Sequence, residues 1–443
     1  MTHTNSIARV HFHGIGAGGD GVGRDDEGMA VFAPYSAPGD VASVEITEAK
    51  KSFARGRIVE LQEPSPQRVA PPCRYYLPSL QAPCGGCQLQ HLDYAAQLAA
   101  KRSIVADALR RIGGQSAPTV HNCIASPLAF GYRNKADFVV GMVDGAALVG
   151  YYARGSHHIV DIERCPLQCE PNNLALTAVR EAMGRGLVTP FDAATGRGIL
   201  RRVIARTGSN GELLITIATT GEPWPRADAF CEYLLERLPA LVGVLRREPR
   251  GHAKVLTGRD WLMESLGGLR LRATGEAFFQ VNSELTPRLL EIALGYAAVR
   301  EGDRAIDLFC GAGLFALGMA RAGASVLGIE LNRDAVLDAQ FNAMENELSA
   351  EFRGGSAMAG LGQLQAGEFD TLLLDPPREG AAECIEEIVH LLPGRIVYVS
   401  CDPATLARDI KALSPHYTLI EATPLDMFPQ TAHVETVALL SRR

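Results

Sequence analysis

The chain has 443 residues, 47% of them hydrophobic and 21% charged, with a formal net charge of −7. That length exceeds one ordinary core, so two or three domains are expected, and the acidic balance excludes a globally basic nucleic-acid binder. No apolar run approaches the ~18 residues of a membrane span, and "MTHTNSIARVHFHGIG" lacks the pattern of an export signal. A cytoplasmic protein with no membrane partner and no obligate protein partner is expected; disulfides are not expected among its ten cysteines, whose close spacings point to metal or catalytic chemistry while Cys123, Cys231, Cys310 and Cys384 read as structural thiols.

Residues 1–70 carry short apolar runs, "GMAVFAP", "GDVASVEI" and "ARGRIVEL", separated by glycine turns, which predicts a small β-barrel. "EPSPQRVAPPC" marks a boundary. A central α+β domain is expected over 71–270. It opens with an irregular cysteine-bearing loop, followed by a helix over 94–112 that should pack on the C-terminal domain. Strands such as "KADFVVGMV", "AALVGYYA" and "GELLITIAT" follow, interrupted by one helix near 226–238. Over 271–443 strands and helices alternate, the pattern of a parallel, doubly wound Rossmann-like sheet. Local basic patches at Lys50, Lys51, Arg55 and Arg57, at Arg133 and Lys135, and at Arg201, Arg202 and Arg206 are, each alone, what a solvated face would also show.

"AIDLFCGAGLFALGMA" reads as strand, glycine turn and helix, with Gly311 and Gly313 letting the backbone approach a ligand at a helix N-terminus. The turn alone also fits a dinucleotide. Asp307 would repel a pyrophosphate but suits a cationic amino-acid-bearing cofactor, and Glu330 ends the next strand where ribose hydroxyls would lie. Together they favour S-adenosylmethionine. Ser356 stands where an acid near an adenine ring is expected, so the adenine contacts stay unassigned.

"LLLDPPREG" places Asp375 at a strand end beside that crevice, with Arg378 where many amine methyltransferases have an aromatic residue. Cys401, in "YVSCDPATLARDI", ends the next strand. A strand-end cysteine is commonly a small buried hydrophobe; a thiolate beside a methyl donor has a further use. Addition of sulfur to carbon 6 of a uracil turns carbon 5 into a nucleophile, and a base must then remove the carbon-5 proton. Glu435 is the favoured base and His433 the less favoured one. Asp402 would raise the thiol pKa if it faced the sulfur, so its side chain is expected to cap the following helix instead. Cys73, Cys84 and Cys87 form C-x10-C-x2-C, with Cys165 as a fourth soft ligand and Cys169 as its competitor; spacing alone leaves zinc and an iron–sulfur cluster open.

These segments together resemble the RNA uracil-C5 methyltransferases, especially the bacterial iron–sulfur members acting on 23S ribosomal RNA. The resemblance spans nearly the whole chain. "GDGVGR", "PGDVASVEI" and "KKSFARGRI" resemble a TRAM barrel, an RNA-binding module. "CGGCQLQH" and "CPLQCEP" resemble cluster-binding segments, implying that Cys73, Cys84, Cys87 and Cys165 hold a 4Fe-4S cluster. "GEAFFQVNSE" implies that Gln280 contacts the methyl donor and Phe278 stacks on a base. "DLFCGAG" adds Phe309 to Asp307, Gly311, Gly313, Glu330 and Asp375 on the donor side. "VSCDPATLARD" and "HVETVALL" imply Cys401 as nucleophile and Glu435 as base. The implied activity is methylation of carbon 5 of a specific uridine, with 23S ribosomal RNA favoured over transfer RNA. The competing readings are an exocyclic-amine methyltransferase and a non-catalytic RNA-binding protein.

Overall fold

In the N-terminal segment, side chains at alternate strand positions turn inward around Val10, Phe12, Val31, Val44 and Ile46. The strands carrying them, β1 (Ile7–Ile15), β2 (Gly21–Asp25), β3 (Ala30–Ala33), β4 (Val41–Ala49) and β5 (Phe53–Glu63), close a barrel in the order β1-β2-β3-β5-β4. The structure is a computed structural model describing residues 4–77, 79–275 and 277–443.

Helix α1 (Tyr94–Arg111) starts at Asp93, whose carboxylate accepts from the Ala96 N–H, and ends on Arg110 and Arg111, which suit the negative end of the helix dipole. Ala96, Ala100 and Ile104 pack with Ile15, Leu89 and Leu92. Val105 and Leu109 enter the core of the C-terminal sheet, and Lys101, fully buried, pairs with Asp426. One helix thus joins both ends of the molecule.

The middle of the chain forms a seven-stranded sheet of order β12-β11-β10-β9-β6-β7-β8. Its elements are β6 (Lys135–Val143), β7 (Ala146–Tyr152), β8 (Ile159–Asp161), α2 (Glu170–Gly184), β9 (Leu200–Thr207), β10 (Leu213–Thr219), α3 (Ala227–Arg237), β11 (Leu241–Arg247) and β12 (Lys254–Gly258). Helices α2 and α3 cover one face around Phe138, Val203, Ile215 and Ile217. The sequence predicts one helix here and the structure has two. Helix α2 begins directly after Cys169, with Pro171 in its first turn, and buries Leu176, Val179 and Met183 together with three alanines, Ala175, Ala178 and Ala182. An alanine-rich buried face carries little periodic hydrophobicity, which is why the pattern does not show it.

A hairpin, β13 (Trp261–Leu266) and β14 (Leu269–Thr274), and helix α4 (Thr286–Ala297) lead into the last sheet. That sheet is built from β15 (Arg304–Leu308), α5 (Leu314–Arg321), β16 (Ser325–Glu330), α6 (Arg333–Glu345), β17 (Glu351–Gly354), α7 (Ala357–Leu361), β18 (Thr371–Leu374), α8 (Ile385–Leu391), β19 (Arg395–Ser400), α9 (Pro403–Leu413), β20 (Tyr417–Leu425) and β21 (Glu435–Arg442). Its order is β17-β16-β15-β18-β19-β21-β20; the first five strands run parallel and β21 joins antiparallel to both neighbours. Burial on both faces explains the unbroken apolar runs: Ile306, Leu308 and Tyr398 lie in one core and Leu373, Val397 and Val399 in the other. Among the described residues no helix is long and apolar enough to cross a membrane.

Candidate active site

The order of the last sheet lines up the residues that follow its strands. Strand β15 is flanked by β16 on one side and by β18 on the other, so the chain reverses its direction of progress there and opens a crevice at the carboxyl ends. Across it, in sheet order, stand Glu330 at the end of β16, Phe309 after β15, Asp375 after β18, Cys401 after β19 and Glu435 at the start of β21. The last pair faces across the sheet because Ser400 of β19 opposes Thr436 of β21.

On the side of β15 and β16, the Asp307 Oδ2 accepts the Ala316 N–H in the first turn of α5 at 2.7 Å, while its Oδ1 is buried without a partner. Burial pushes this carboxyl well above its ordinary pKa, the Ala316 N–H opposing and the charges of Asp375 and Glu330 adding. Glu330 accepts the Gly311 N–H at 3.0 Å and the Asn332 N–H at 2.7 Å. The turn between them is sharp: Phe309 and Gly311 have φ of 65° and 52°, and Gly313 caps α5 at 90°. A side chain as large as Phe in the left-handed region costs of order 1–3 kcal/mol. A Cβ on Gly311 would meet nothing within 4 Å, so space lies over the turn. An unpaired buried carboxylate oxygen, open space and a helix N-terminus fit a cationic, amino-acid-bearing cofactor such as S-adenosylmethionine. Ser356, at the expected adenine position, accepts the Ala359 N–H and caps α7.

On the reaction side the groups are crowded and dry. Glu435 is 2% exposed, and one of its oxygens is buried without a partner. Burial pushes Asp375 up to about 7; burial and then the charge of Asp375 hold Glu435 well above the carboxylate range, against the pull of Arg378. The Cys401 thiol is pushed up to about 11, first by burial and then by Glu435 and Asp375, with Arg378 opposing and Asp402 adding last. In the ligand-free site the thiol is therefore protonated at neutral pH. Asp402 acts chiefly on the helix: its Oδ1 accepts the Ala404 and Thr405 N–H groups at 2.9 and 3.0 Å. His433, crowded by protein and by Arg378, Lys101 and Arg133, is pushed down to about 4 and is neutral.

The loop after β14 carries Phe278, 64% exposed, and the buried Gln280. Gln280 Nε2 donates to Asp375 Oδ2 at 3.3 Å. Two asparagines hold this loop: Asn282, which closes the "FFQVN" segment itself, and Asn134, which no sequence pattern singles out. Asn134 Nδ2 donates to the Gln280 carbonyl and to Ser283 Oγ; Asn282 Nδ2 donates to Ser126 Oγ and to the Met427 carbonyl.

Cys73, Cys84, Cys87 and Cys165 line a single cavity of about 320 Å³, together with Arg378 and His433. Cys169 does not line it; it sits at the start of α2. Burial raises all four thiols, Cys84 to about 11, while backbone N–H groups of Gly86, of Tyr75 and Tyr76, and of Leu167 and Gln168 point at Cys84, Cys73 and Cys165 and favour their thiolates. Among the described residues no three His, Cys, Asp or Glu side chains stand so as to hold one metal ion.

Comparison with known proteins places these features. Residues 242–443 match the family model described as tRNA (uracil-5-)-methyltransferase, and residues 2–59 match the TRAM domain. An uncharacterized RNA methyltransferase of Halalkalibacterium halodurans is 34% identical over 98% of this chain and 97% of its own length. The chain belongs to the RNA uracil-C5 methyltransferase family. A second uncharacterized RNA methyltransferase, from Thermosynechococcus vestitus, is 38% identical over 96% of this chain and 95% of its own. The structure of the Pyrococcus abyssi tRNA (uracil-54, C5)-methyltransferase in complex with S-adenosyl-L-homocysteine superposes with a TM-score of 0.75 at 29% identity, covering 98% of this chain and all of that one. The enzyme is thus an S-adenosylmethionine-dependent methyltransferase acting on uracil carbon 5 in RNA, with a TRAM barrel at its N-terminus.

Proposed function

We propose that this enzyme methylates one specific uridine of 23S ribosomal RNA through a covalent bond between Cys401 and uracil carbon 6, with Glu435 removing the carbon-5 proton. The observation that carries the mechanism is the adjacency of Cys401 and Glu435 beyond the Ser400–Thr436 pair, with Asp375 on the next strand. When bound, S-adenosylmethionine supplies the methyl group on a positively charged sulfur. Asp307, Glu330 and the turn at Gly311 and Gly313 hold it, and Gln280 and Asp375 face its reacting end. Leu331, 74% exposed directly after Glu330, takes the adenine in place of an acid. Phe278 stacks on the flipped base.

Both groups react in their charged forms, which burial in this site disfavours. Cys401 gives its proton to solvent and its sulfur forms a bond to carbon 6, the ring's π electrons moving onto the oxygen of carbon 4. Carbon 5 would then take the methyl group as the methyl–sulfur bond of the donor breaks, its electron pair staying on the sulfur and leaving S-adenosylhomocysteine. The Glu435 carboxylate accepts the carbon-5 proton as the carbon 6–sulfur bond breaks, returning the thiolate. Its dry setting makes it a strong base.

The same reading divides the chain into an RNA-binding barrel (1–70), a cluster-bearing central domain (71–270) and the methyltransferase domain (271–443). Cys73, Cys84, Cys87 and Cys165 hold a 4Fe-4S cluster. What supports a soft-metal site here is that the four sulfurs line one cavity; the preference for an iron–sulfur cluster over zinc rests on the resemblance of the segments that carry them. Transfer RNA is the second reading for the substrate, favoured by the full-length likeness to the Pyrococcus abyssi enzyme.

RNA carrying tritium at uracil carbon 5 tests the reaction. With S-adenosylmethionine, one tritium should reach water for each methyl gained, on 23S ribosomal RNA and not on transfer RNA. Methyl gain without tritium release would identify an amine methyltransferase and refute the proposal.

A further inference from the structure

The seven-stranded central sheet has helices α2 and α3 on one face; the hairpin covers part of the other, where Leu262 packs on Leu214 and Leu245, and the rest of that face is open. Side chains alternate across a sheet, so the residues between those core positions point the other way. On that side a groove of about 640 Å³ is lined by Val139, Tyr152, Arg202 and Arg247, and Phe191 and Arg201 complete its wall, Arg201 falling where the pairing of β9 with β10 shifts register. The register explains the arrangement: Arg247 of β11, Ala218 of β10, Arg202 of β9 and Val139 of β6 lie opposite one another in one row across four strands. Arg247 and Arg202 are two strands apart, about 10 Å.

The charge on this face is one-sided. Two carboxylates border it, and both are engaged, Asp137 with Arg202 and Glu248 with Arg246. Among the described residues Arg201 and Arg247 have no carboxylate partner. The exposed Arg201 lies over the Phe191 ring at 4.1 Å, and Tyr152, also exposed, meets the His157 ring edge-on. Arginines without counter-charges beside an exposed ring, Tyr152, and a half-buried one, Phe191, are what a single-stranded nucleic acid uses: cations for the phosphates, ring faces for the bases. The groove neighbours the thiol cavity, because Arg202 on its wall pairs with Asp137. Asp137 of β6 lines the thiol cavity, and Arg133 and Asn134, just before that strand, contact the loop that carries Phe278 and Gln280.

We propose that the open face of the central sheet binds the single-stranded RNA flanking the target uridine, with Arg201 and Arg247 on phosphates and Tyr152 and Phe191 under bases. The inference rests on the RNA-methyltransferase reading for the nature of the polymer. It does not depend on which uridine is methylated or on the route through Cys401.

Binding of fluorescein-labelled oligouridylates of 4 and 12 nucleotides to the full-length enzyme, followed by anisotropy over a salt series, tests it. For R201E/R247E the affinity for the 12-mer should fall at least tenfold, and the dependence of log K on log salt should become shallower by about 1.4, two phosphate contacts at about 0.7 each. Affinity for the 4-mer, which fills only the reaction centre, should change less than twofold and so report that the variant is folded. R201K/R247K should keep the salt slope. Unchanged 12-mer affinity and slope in the Glu variant, or equal losses for both oligomers, would overturn the proposal. Failure of the tritium-release assay would refute the proposed chemistry and leave this binding result standing.

Discussion

Cys401 and Glu435 are the first residues beyond the paired end of β19 and β21, where Ser400 opposes Thr436. Strand β21, inserted antiparallel between β19 and the edge strand β20, starts where the parallel strands finish. It therefore delivers a carboxyl group to the same mouth at which a strand-end thiol emerges. Nucleophile and base share one low-dielectric site: burial raises the pKa of both, and the charge of Glu435 raises that of Cys401 further.

Glu435→Gln should separate the two halves of the reaction. Sulfur addition and methyl transfer remain possible, and proton removal does not, so a covalent protein–RNA species should accumulate on ordinary uridine RNA. Turnover should fall about 10²–10⁴-fold, the usual worth of a positioned general base. Denaturing gel electrophoresis reads the adduct directly; free, fully methylated product at the wild-type rate would exclude Glu435 as the base.

The thiol should report its carboxylate neighbours through its own titration. Cys401 is pushed up to about 11, so alkylation of the ligand-free enzyme by iodoacetamide should rise about tenfold per pH unit from neutrality towards that value. A negative neighbour disfavours the thiolate, so Glu435→Gln should move the profile to lower pH. Mass spectrometry of the Cys401 peptide measures the rate.

Asp402 should matter to stability more than to catalysis. Its carboxylate caps α9 through two N–H groups, so Asp402→Ala should cost about 1 kcal/mol, a fall of about 2–4 °C in the melting temperature of a domain of this size. Asp402→Asn keeps the cap, should melt like wild type, and should lower the Cys401 pKa slightly because the raising charge is gone.

Lys101 and Asp426 tie α1 to the segment after β20, both fully buried, with Lys101 Nζ also donating to the Phe428 carbonyl at 3.0 Å. Lys101→Met strands a carboxyl in an apolar setting and should destabilise by about 3–5 kcal/mol; adding Asp426→Leu should restore most of it. Denaturant titration of the three proteins checks the coupling.

Much of the site is legible in sequence because its chemistry sits at strand ends. Asp375, Cys401 and Glu435 each border an apolar run, and a doubly wound sheet sends such ends to one edge. Asp402 is legible for a local reason, an acid one residue before a helix that opens with Pro403. Of the asparagines that clamp the Gln280 loop, Asn134 is not legible: it and the loop lie in different parts of the chain, and only the packing of the two sheets brings them together. Helix α2 is hidden by its alanines. Arg378 shows in sequence only as an unexpected residue after two prolines; the structure puts it between the thiol cavity and the carboxyl pair, where it opposes the rise in the pKa of both Cys401 and Glu435.

The central claim is a bond between the Cys401 sulfur and carbon 6 of a uracil, and 5-fluorouridine RNA tests it most directly. Fluorine cannot leave carbon 5 as a proton does, so the enzyme, incubated with S-adenosylmethionine and such RNA, should be trapped as a covalent complex. Mass spectrometry should place the methylated fluorouridine on the peptide containing Cys401, and Cys401→Ala should give no complex. A complex that survives that substitution, or methylation of the fluorinated RNA without any adduct, would contradict the account.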